Sequence, residues 1–331
     1  MRKSWLAAAT LSASLVSGIA AANELTLYSG RGESFVQPIV NQFERDTGIK
    51  VNVRYGDTAQ LALLLQEEGT RTRADLYWGQ DAGAMGSLAK DGLLATLPSR
   101  VYDDLPAIYT SRTGQWVAAS GRARVLTYST ERVNAADLPS SVFELTDPKY
   151  KGRLAVPPTN GGFQAFVTAM RVQHGDERTL EWLKGIRANE PVIFRNNTTS
   201  VQGIADGDVD FAIVNSYYLP RFVNADPNYP VAQTFFAAGD IGNLVNVAGI
   251  GVLAPSRNKD NAVRFIEYLL SQSAQQYFTS VINEYPVTPG VISNPVLTDL
   301  SELLVLAPEI DLDELADLPG TLRLLRDAGL M

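Results

Sequence analysis

The sequence contains no cysteine. Thiolate metal centres, cysteine nucleophiles and disulfides are therefore excluded. It contains one histidine, His174, followed by Gly175 and Asp176, which mark a helix end. That placement reads as a solvated residue that favours the helix dipole. A Ser-His-Asp triad and a multi-histidine zinc site drop out with it. Any metal chemistry must use oxygen ligands, chiefly Asp, Glu, Tyr or a bound anion. Basic charge is in deficit, with 28 Lys+Arg against 36 Asp+Glu. Nucleic acid is excluded as a partner, as is anionic lipid, because both need a basic face. No Gly-x-x-x-x-Gly-Lys-[Ser/Thr] loop occurs. Gly249-Ile250-Gly251 sits within an apolar strand pattern and opens no helix, so it reads as a packing feature. Internal repeats, low-complexity tracts and Pro/Ser-rich linkers are absent, and no carboxylate pair has a spacing that identifies glycosidase chemistry.

Beyond the N-terminus there is no apolar run long enough to span a membrane. The N-terminal run itself reads as a signal peptide. Arg2 and Lys3 form a short positive region, residues 5–19 are apolar but softened by Ala, Ser and Thr, and Ala20-Ala21-Ala22 supplies a small-x-small cleavage pattern. The alternative, a transmembrane anchor, needs about 20 apolar residues. Residues 1–22 are therefore expected to be removed, with the mature chain starting near Asn23. No Cys stands at the junction, which excludes a lipoprotein anchor. Cleavage leaves 26 Lys+Arg against 36 Asp+Glu, a formal net charge of −10. Such a field attracts cations weakly and defines no site.

The rest of the chain alternates between strand and helix patterns. Strand 24–28 leads to Ser29-Gly30-Arg31-Gly32 and a helix with Val36, Ile39, Val40 and Phe43 on one face. Strand 51–55, helix 58–68, strand 74–78 and a helix from Ala82 to about Asp91 follow. This order predicts a mainly parallel sheet with helices on both faces. Residues 116–128 are apolar but interrupted by Ser120-Gly121-Arg122-Ala123-Arg124, as expected of one long strand passing between lobes. Further on, strands are expected at 153–156 and 208–215, and helices from Phe163, at 177–188 and at 198–205. Residues 245–254 read as the return strand, and 258–271 and 274–281 as amphipathic helices. Two α/β lobes without a flexible linker predict a hinge of crossing strands, with ligand held between the lobes beyond the carboxyl ends of the strands.

Several loops after strands carry polar chemistry. Tyr217-Tyr218 ends strand 208–215. A phenol has a free pKa of about 10, but direct coordination to a hard trivalent cation strips its proton near neutrality. Neighbours on a strand face opposite ways, so both rings reach one cleft only if the strand stops there, and Pro220 supports such a break. The plain alternative is two structural tyrosines. Thr159-Asn160-Gly161-Gly162 before a helix is either an anion nest or an Asn-capped turn. Arg195-Asn196-Asn197-Thr198-Thr199-Ser200 either presents donors to an oxyanion or caps its helix. Asp81, after Gly79-Gln80, reads as a helix cap in preference to a hard ligand. Arg31 either clamps an oxyanion bidentately or is a surface arginine, with Gly32 and Gly79 leaving open space beside it.

The chain resembles the periplasmic ferric-ion-binding proteins of bacteria, sometimes called bacterial transferrins, almost end to end. The markers are Leu27-Tyr28-Ser29-Gly30-Arg31, Ala74-Asp75-Leu76-Tyr77, residues 116–125, Pro158-Thr159-Asn160-Gly161-Gly162-Phe163 and residues 207–218. Residues 258–262 and 265–271 mark the wider solute-binding superfamily and speak for fold only. The resemblance implies an α/β, two-lobed periplasmic-binding-protein clamshell of type II. Lobe 1 is expected to comprise 23–122 and 247–298, and lobe 2 to comprise 123–246 and 299–331. It implies Tyr217 and Tyr218 as ligands of Fe(III). Asn160, Gly161, Gly162, Asn197 and Asn215 would cradle a synergistic anion (carbonate, phosphate or citrate), with Gln80 and Arg31 beside it. The implied function is capture of Fe(III) in the periplasm and delivery to an inner-membrane ABC permease and its ATPase, by a monomer that is not an enzyme. The chain departs from the family at Gly32 and Gly79, where many members carry His and Glu, and in the Gly161-Gly162 loop, where others add a tyrosine. A borrowed anion must then complete the metal's coordination. The alternatives are a pre-formed ferric chelate, or a metal-free anion or small organic solute on the same fold.

Overall fold

Leu25 and Leu27 alternate with more exposed residues in β1 (Glu24–Ser29), and both are fully buried beside α1 (Glu33–Thr47). Val36, Ile39, Val40 and Phe43 form the facing stripe of α1. Each such burial contributes roughly 1.5–3 kcal/mol. The helix stops at Gly48, whose φ of 72° is the left-handed conformation that glycine adopts without strain. The computed structural model describes residues 23–292 and 294–331, so the expected signal peptide lies outside the described residues.

The chain continues through β2 (Lys50–Tyr55), α2 (Thr58–Glu68), β3 (Leu76–Trp78) and α3 (Ala82–Lys90), then crosses on β4 (Val117–Ser129). Next come β5 (Leu154–Val156), α4 (Gly161–His174), α5 (Asp176–Ala188), β6 (Val192–Ile193) and α6 (Asn197–Asp206). They are followed by β7 (Phe211–Asn215), α7 (Leu219–Ala225), β8 (Val231–Thr234) and the return strand β9 (Val245–Val252). The helices α8 (Lys259–Leu269), α9 (Gln272–Tyr277), α10 (Leu300–Leu306) and α11 (Leu318–Asp327) complete the chain.

The strands lie in the order β2-β1-β3-β9-β4-β7-β5-β6, with β8 also on β4. The front of β4 pairs with β9 and its back with β7 and β8, so this one strand of 13 residues belongs to two half-sheets. Its register against β9 shifts between Ala118 and Ser120, and its partner changes from β9 to β7 between Ala123 and Arg124. The expected crossing strand is therefore present as one element, and the fold is the expected two-lobed α/β arrangement. The expectation of a mainly parallel sheet needs correction. β1 runs parallel to β2 and β3, and β5 to β6 and β7. Every pairing made by β4 and β9 is antiparallel. A parallel pair requires a crossover connection, whereas the long strands β4 and β9 run against each other and against their neighbours from both half-sheets.

The C-terminal tail, for which the sequence reading placed no elements, packs on helices that flank both half-sheets. Asp313, in a 3-10 turn at Leu312–Ala316, accepts from Trp116 Nε1 at 3.1 Å and from the Arg112 backbone N–H at 2.8 Å. That turn packs on α3, where a Cβ at Gly83 would strike the Leu315 carbonyl oxygen. α11 packs instead on α4 and α5, with Thr168 and Thr321 hydroxyls 2.7 Å apart and Arg171 donating to Asp317 at 2.8 Å. A single apolar core runs from Leu65 and Met85 through Leu315 and Leu325 to Phe166 and Trp182.

Candidate functional site

β7 stops at Asn215, as a shared orientation of the two tyrosines requires. The Ser216 N–H donates to the Ala123 carbonyl of β4, and the Tyr218 N–H turns back to the Asn215 carbonyl at 3.2 Å. Tyr218 already has helical dihedrals, and Pro220 sits in the first turn of α7, where its missing N–H costs nothing. The rings are consequently stacked, with centroids 4.4 Å apart, and the Tyr217 hydroxyl donates to the Tyr218 oxygen at 3.2 Å. Two oxygens at that separation are close enough for both to lie about 2 Å from one ion. Burial, followed by the neighbouring Tyr217, pushes the Tyr218 phenol well above its ordinary pKa. Only a strong electrophile would remove its proton near neutrality.

From the other half-sheet, Gln80 Nε2 donates to the Tyr217 oxygen at 2.7 Å. The Gln80 backbone N–H is fixed by Thr58 Oγ1 at 3.1 Å. Asp81 accepts from the Ala84 N–H at 3.1 Å and so caps α3. Asn160 likewise caps α4, accepting from the Gly162 and Phe163 N–H groups. Asn197 donates to Asn160 at 3.4 Å and leaves its own buried Oδ1 without a partner. The cap of α6 is Asn196, one residue earlier. Asn215 accepts from Arg124 Nη1 at 3.0 Å and points its amide at the Tyr217 oxygen, 3.5 Å away. A Cβ at Gly162 would lie 3.1 Å from that amide, so the loop approaches Asn215 only because position 162 is glycine. Next to Gln80 and Gly161 lies a cavity of about 320 Å³, also lined by Thr159, Asn160 and Arg195.

The two glycines expected to leave space differ. Gly32 has only the Phe35 ring nearby, at 3.6 Å, and that ring meets Tyr217 edge-on. At Gly79 the expectation of open space fails, because a Cβ would lie 3.1 Å from the Tyr77 ring and 3.4 Å from Met85. A longer side chain there would have to displace core packing.

Arg31 is buried, not on the surface. Its two Nη atoms donate to the two oxygens of Glu284 at 3.0 and 2.9 Å, and Ser120 Oγ donates to the same carboxylate at 2.5 Å. Burial pulls the Arg31 guanidinium pKa down, but Glu284 outweighs it and the net direction is upward. Two further buried arginines flank the phenols and went unrecognised in the sequence. Arg122 has both Nη atoms unpartnered, and burial lowers its pKa. Arg124 bonds Asn215 and the Ile213 carbonyl but leaves Nε unpartnered, and burial takes its pKa down to about 9. The signal was available: Arg122 and Arg124 are alternate residues and the only charges of a strand that is mostly apolar, and charges at core positions serve a function when they are kept. Buried cationic donors without partners fit an anion. The described residues contain no cluster of three or more His, Cys, Asp or Glu that would hold a metal.

The chain is similar to known proteins along most of its length. The pattern of bacterial extracellular solute-binding proteins matches residues 38–304. A protein of Neisseria meningitidis named major ferric iron-binding protein is 32% identical over 327 residues, covering 97% of this chain and 98% of that one. The crystal structure of iron-bound HitA from Pseudomonas aeruginosa superposes with a TM-score of 0.87 at 32% identity, covering 92% of this chain and 99% of that one. A Trichodesmium protein (IdiA, FutA) in complex with iron and citrate gives a TM-score of 0.78 at 28% identity, covering 93% and 100%.

Proposed function

Because this chain belongs to the bacterial extracellular solute-binding proteins, and among them to the ferric iron-binding group, we propose that it captures Fe(III) between its lobes and hands it to an ABC permease. The stacked Tyr217–Tyr218 pair, with its hydroxyls 3.2 Å apart, carries this reading. Both phenols lose their protons to the incoming ion, so loading releases protons and weakens as pH falls. Two phenolates leave most of the metal's coordination unfilled. A synergistic anion fills it, held by Arg122 and by the Asn160, Gly161, Gly162, Asn197 and Asn215 group. Gln80 orients Tyr217 through its 2.7 Å hydrogen bond. Arg31 acts on the site at longer range, since Glu284 occupies both of its terminal nitrogens.

The protein is a binder and carrier, not an enzyme. It works in the periplasm as a monomer after loss of residues 1–22, with the lobes divided as 23–122 with 247–298 and 123–246 with 299–331. A pre-formed ferric chelate is the second reading. The cavity of about 320 Å³ beside Gln80 has room for an organic anion that arrives with the metal.

The test is optical. Titration of the purified protein with ferric nitrilotriacetate in bicarbonate, phosphate or citrate buffer should give a tyrosinate-to-iron charge-transfer band. Tyr217→Phe and Tyr218→Phe should each abolish tight binding. A wild-type protein that stays colourless with all three anions rules out ferric iron as cargo.

A further inference from the structure

The buried charges beside the phenols do not cancel. Arg31, Arg122 and Arg124 bring three guanidiniums into the space between the half-sheets. Four of their nitrogens, Arg31 Nε, Arg122 Nη1 and Nη2, and Arg124 Nε, have no partner. Asp81 lies within electrostatic range of Arg122 and is engaged in capping α3. Glu284 is different, because its side-chain hydrogen bonds go to Arg31 and to Ser120 of β4. It is 0% exposed, bidentate to Arg31, and held by Ser120 at the point where β4 changes register.

Considerable backbone is committed to placing it. Asn283 adopts φ 62°, a left-handed conformation uncommon outside glycine. The Asn294 amide steadies the Asn283 side chain at 3.0 Å. Glu284 N–H returns to the Phe278 carbonyl at 3.0 Å, and Tyr285 pairs through its backbone with Gly121 of β4, twice at 2.8 Å. The carboxylate is thus aimed inward by a turn far along the chain from Arg31. Burying such a pair brings little net stability compared with apolar residues of the same volume. A stability role alone therefore gives a weak account of it.

We propose that Glu284 sets the charge of the anion that the site accepts with its metal. By pairing off Arg31 it removes one positive charge from the buried cluster, so the anion held carries one negative charge fewer than three free guanidiniums would require. This rests on the anion-assisted reading above and adds the residue that tunes it. A charge difference of one unit in a low-dielectric site acts more strongly on a trianion than on a dianion of the same shape, because the Coulomb term scales with the product of charges. Glu284 is a specificity-determining residue in this sense, acting through Arg31 without touching the metal.

The experiment compares citrate, a trianion at pH 7.5, with its monomethyl ester, a dianion of nearly the same size. Both are titrated by calorimetry into metal-free protein, and by the charge-transfer band in the presence of Fe(III). The readout is the ratio of the two affinities in wild type, Glu284→Gln, Arg31→Gln and the double variant. The ratio of citrate to ester is expected to rise about tenfold or more in Glu284→Gln, to fall in Arg31→Gln, and to return to within about twofold of wild type in the double variant. A merely structural role would weaken both anions alike and leave the ratio unchanged. If Glu284→Gln does not fold, the step from Arg31→Gln to the double variant removes the same carboxylate and reads the same ratio. A ratio that stays within twofold across that removal overturns the proposal. So does failure of either anion to bind with or without iron. If no variant turns coloured with iron but the metal-free ratio moves as stated, the ferric reading falls and the role of Glu284 stands.

Discussion

Around the paired phenols, the half-sheet of β5, β6 and β7 supplies Tyr217, Tyr218, Asn215, Asn160 and Asn197, each at the end of a strand or the start of a helix. The half-sheet of β1, β2 and β3 supplies one amide, Gln80, the buried Arg31, and otherwise glycines at 32 and 79 and a phenylalanine ring at 35. Donors sit on one side, and the other side contributes shape and charge. A site divided this way can collect its ligand on one lobe and use the second to exclude water and complete the electrostatics. Closure then needs few new bonds, but those it makes must favour the loaded state.

The largest test of this division is the pair of single variants Tyr217→Phe and Tyr218→Phe. Each should lower ferric affinity about a thousandfold or more, equivalent to ~4 kcal/mol or more, read by competition against nitrilotriacetate. If one of them binds iron normally, the donor side has been misassigned. Gln80→Ala removes the only side-chain hydrogen bond from the opposite lobe to either site phenol among the described residues, and should cost about 10–100-fold, the usual range for an outer-shell partner. A loss as large as that of a tyrosine would make the two lobes equal contributors.

Two further variants address the frame. Gly83→Ala forces a methyl group against the Leu315 carbonyl, so the tail must shift from α3. Overpacking of this kind costs about 1–3 kcal/mol and should appear as a lower melting temperature. Asp210 anchors the start of β7 through Arg132 and Arg153, each at 2.6 Å. Burial alone would raise its pKa, yet the two arginines outweigh that and the net shift is downward. A depressed carboxylate adds stability above its unfolded pKa of about 3.9 and loses it as pH falls through the folded value. Asp210→Asn should therefore cost about 1–3 kcal/mol at pH 7, with the gap to wild type closing below about pH 4. The smallest effect belongs to His174, which packs edge-on against Phe143 far from the phenols. His174→Ala should leave ferric affinity and its pH dependence unchanged in the same competition assay. A loss would mean that a nitrogen ligand had been overlooked.

The tyrosine pair was legible because it follows a strand whose apolar run ends visibly at Asn215. The helix stripe of Val36, Ile39, Val40 and Phe43 was legible from periodicity, and the long crossing strand from an apolar stretch interrupted at Ser120–Arg124. Glu284 was not, since its partner Arg31 is 253 residues away and no local pattern marks such a pairing. Gly79 shows the limit in the other direction: a missing side chain suggests space, but only packing reveals that Tyr77 and Met85 already fill it. The short β6, β8 and α7 lacked the length that makes a period detectable. In the tail, the turn at Leu312–Ala316 and α11 are held by contacts with distant elements, the turn by α3 and Trp116 and the helix by α4 and α5.

The return of β9 has a consequence for how the chain acquires its structure. Leu76 of β3 pairs with Val252, and Val117 of β4 with Ile250, so the first lobe lacks a central strand until about three-quarters of the chain exists. Contacts this distant in sequence close slowly, because the intervening loop must be ordered before the pairing rewards it. Such a topology keeps the N-terminal lobe incomplete until the late arrival of a single strand.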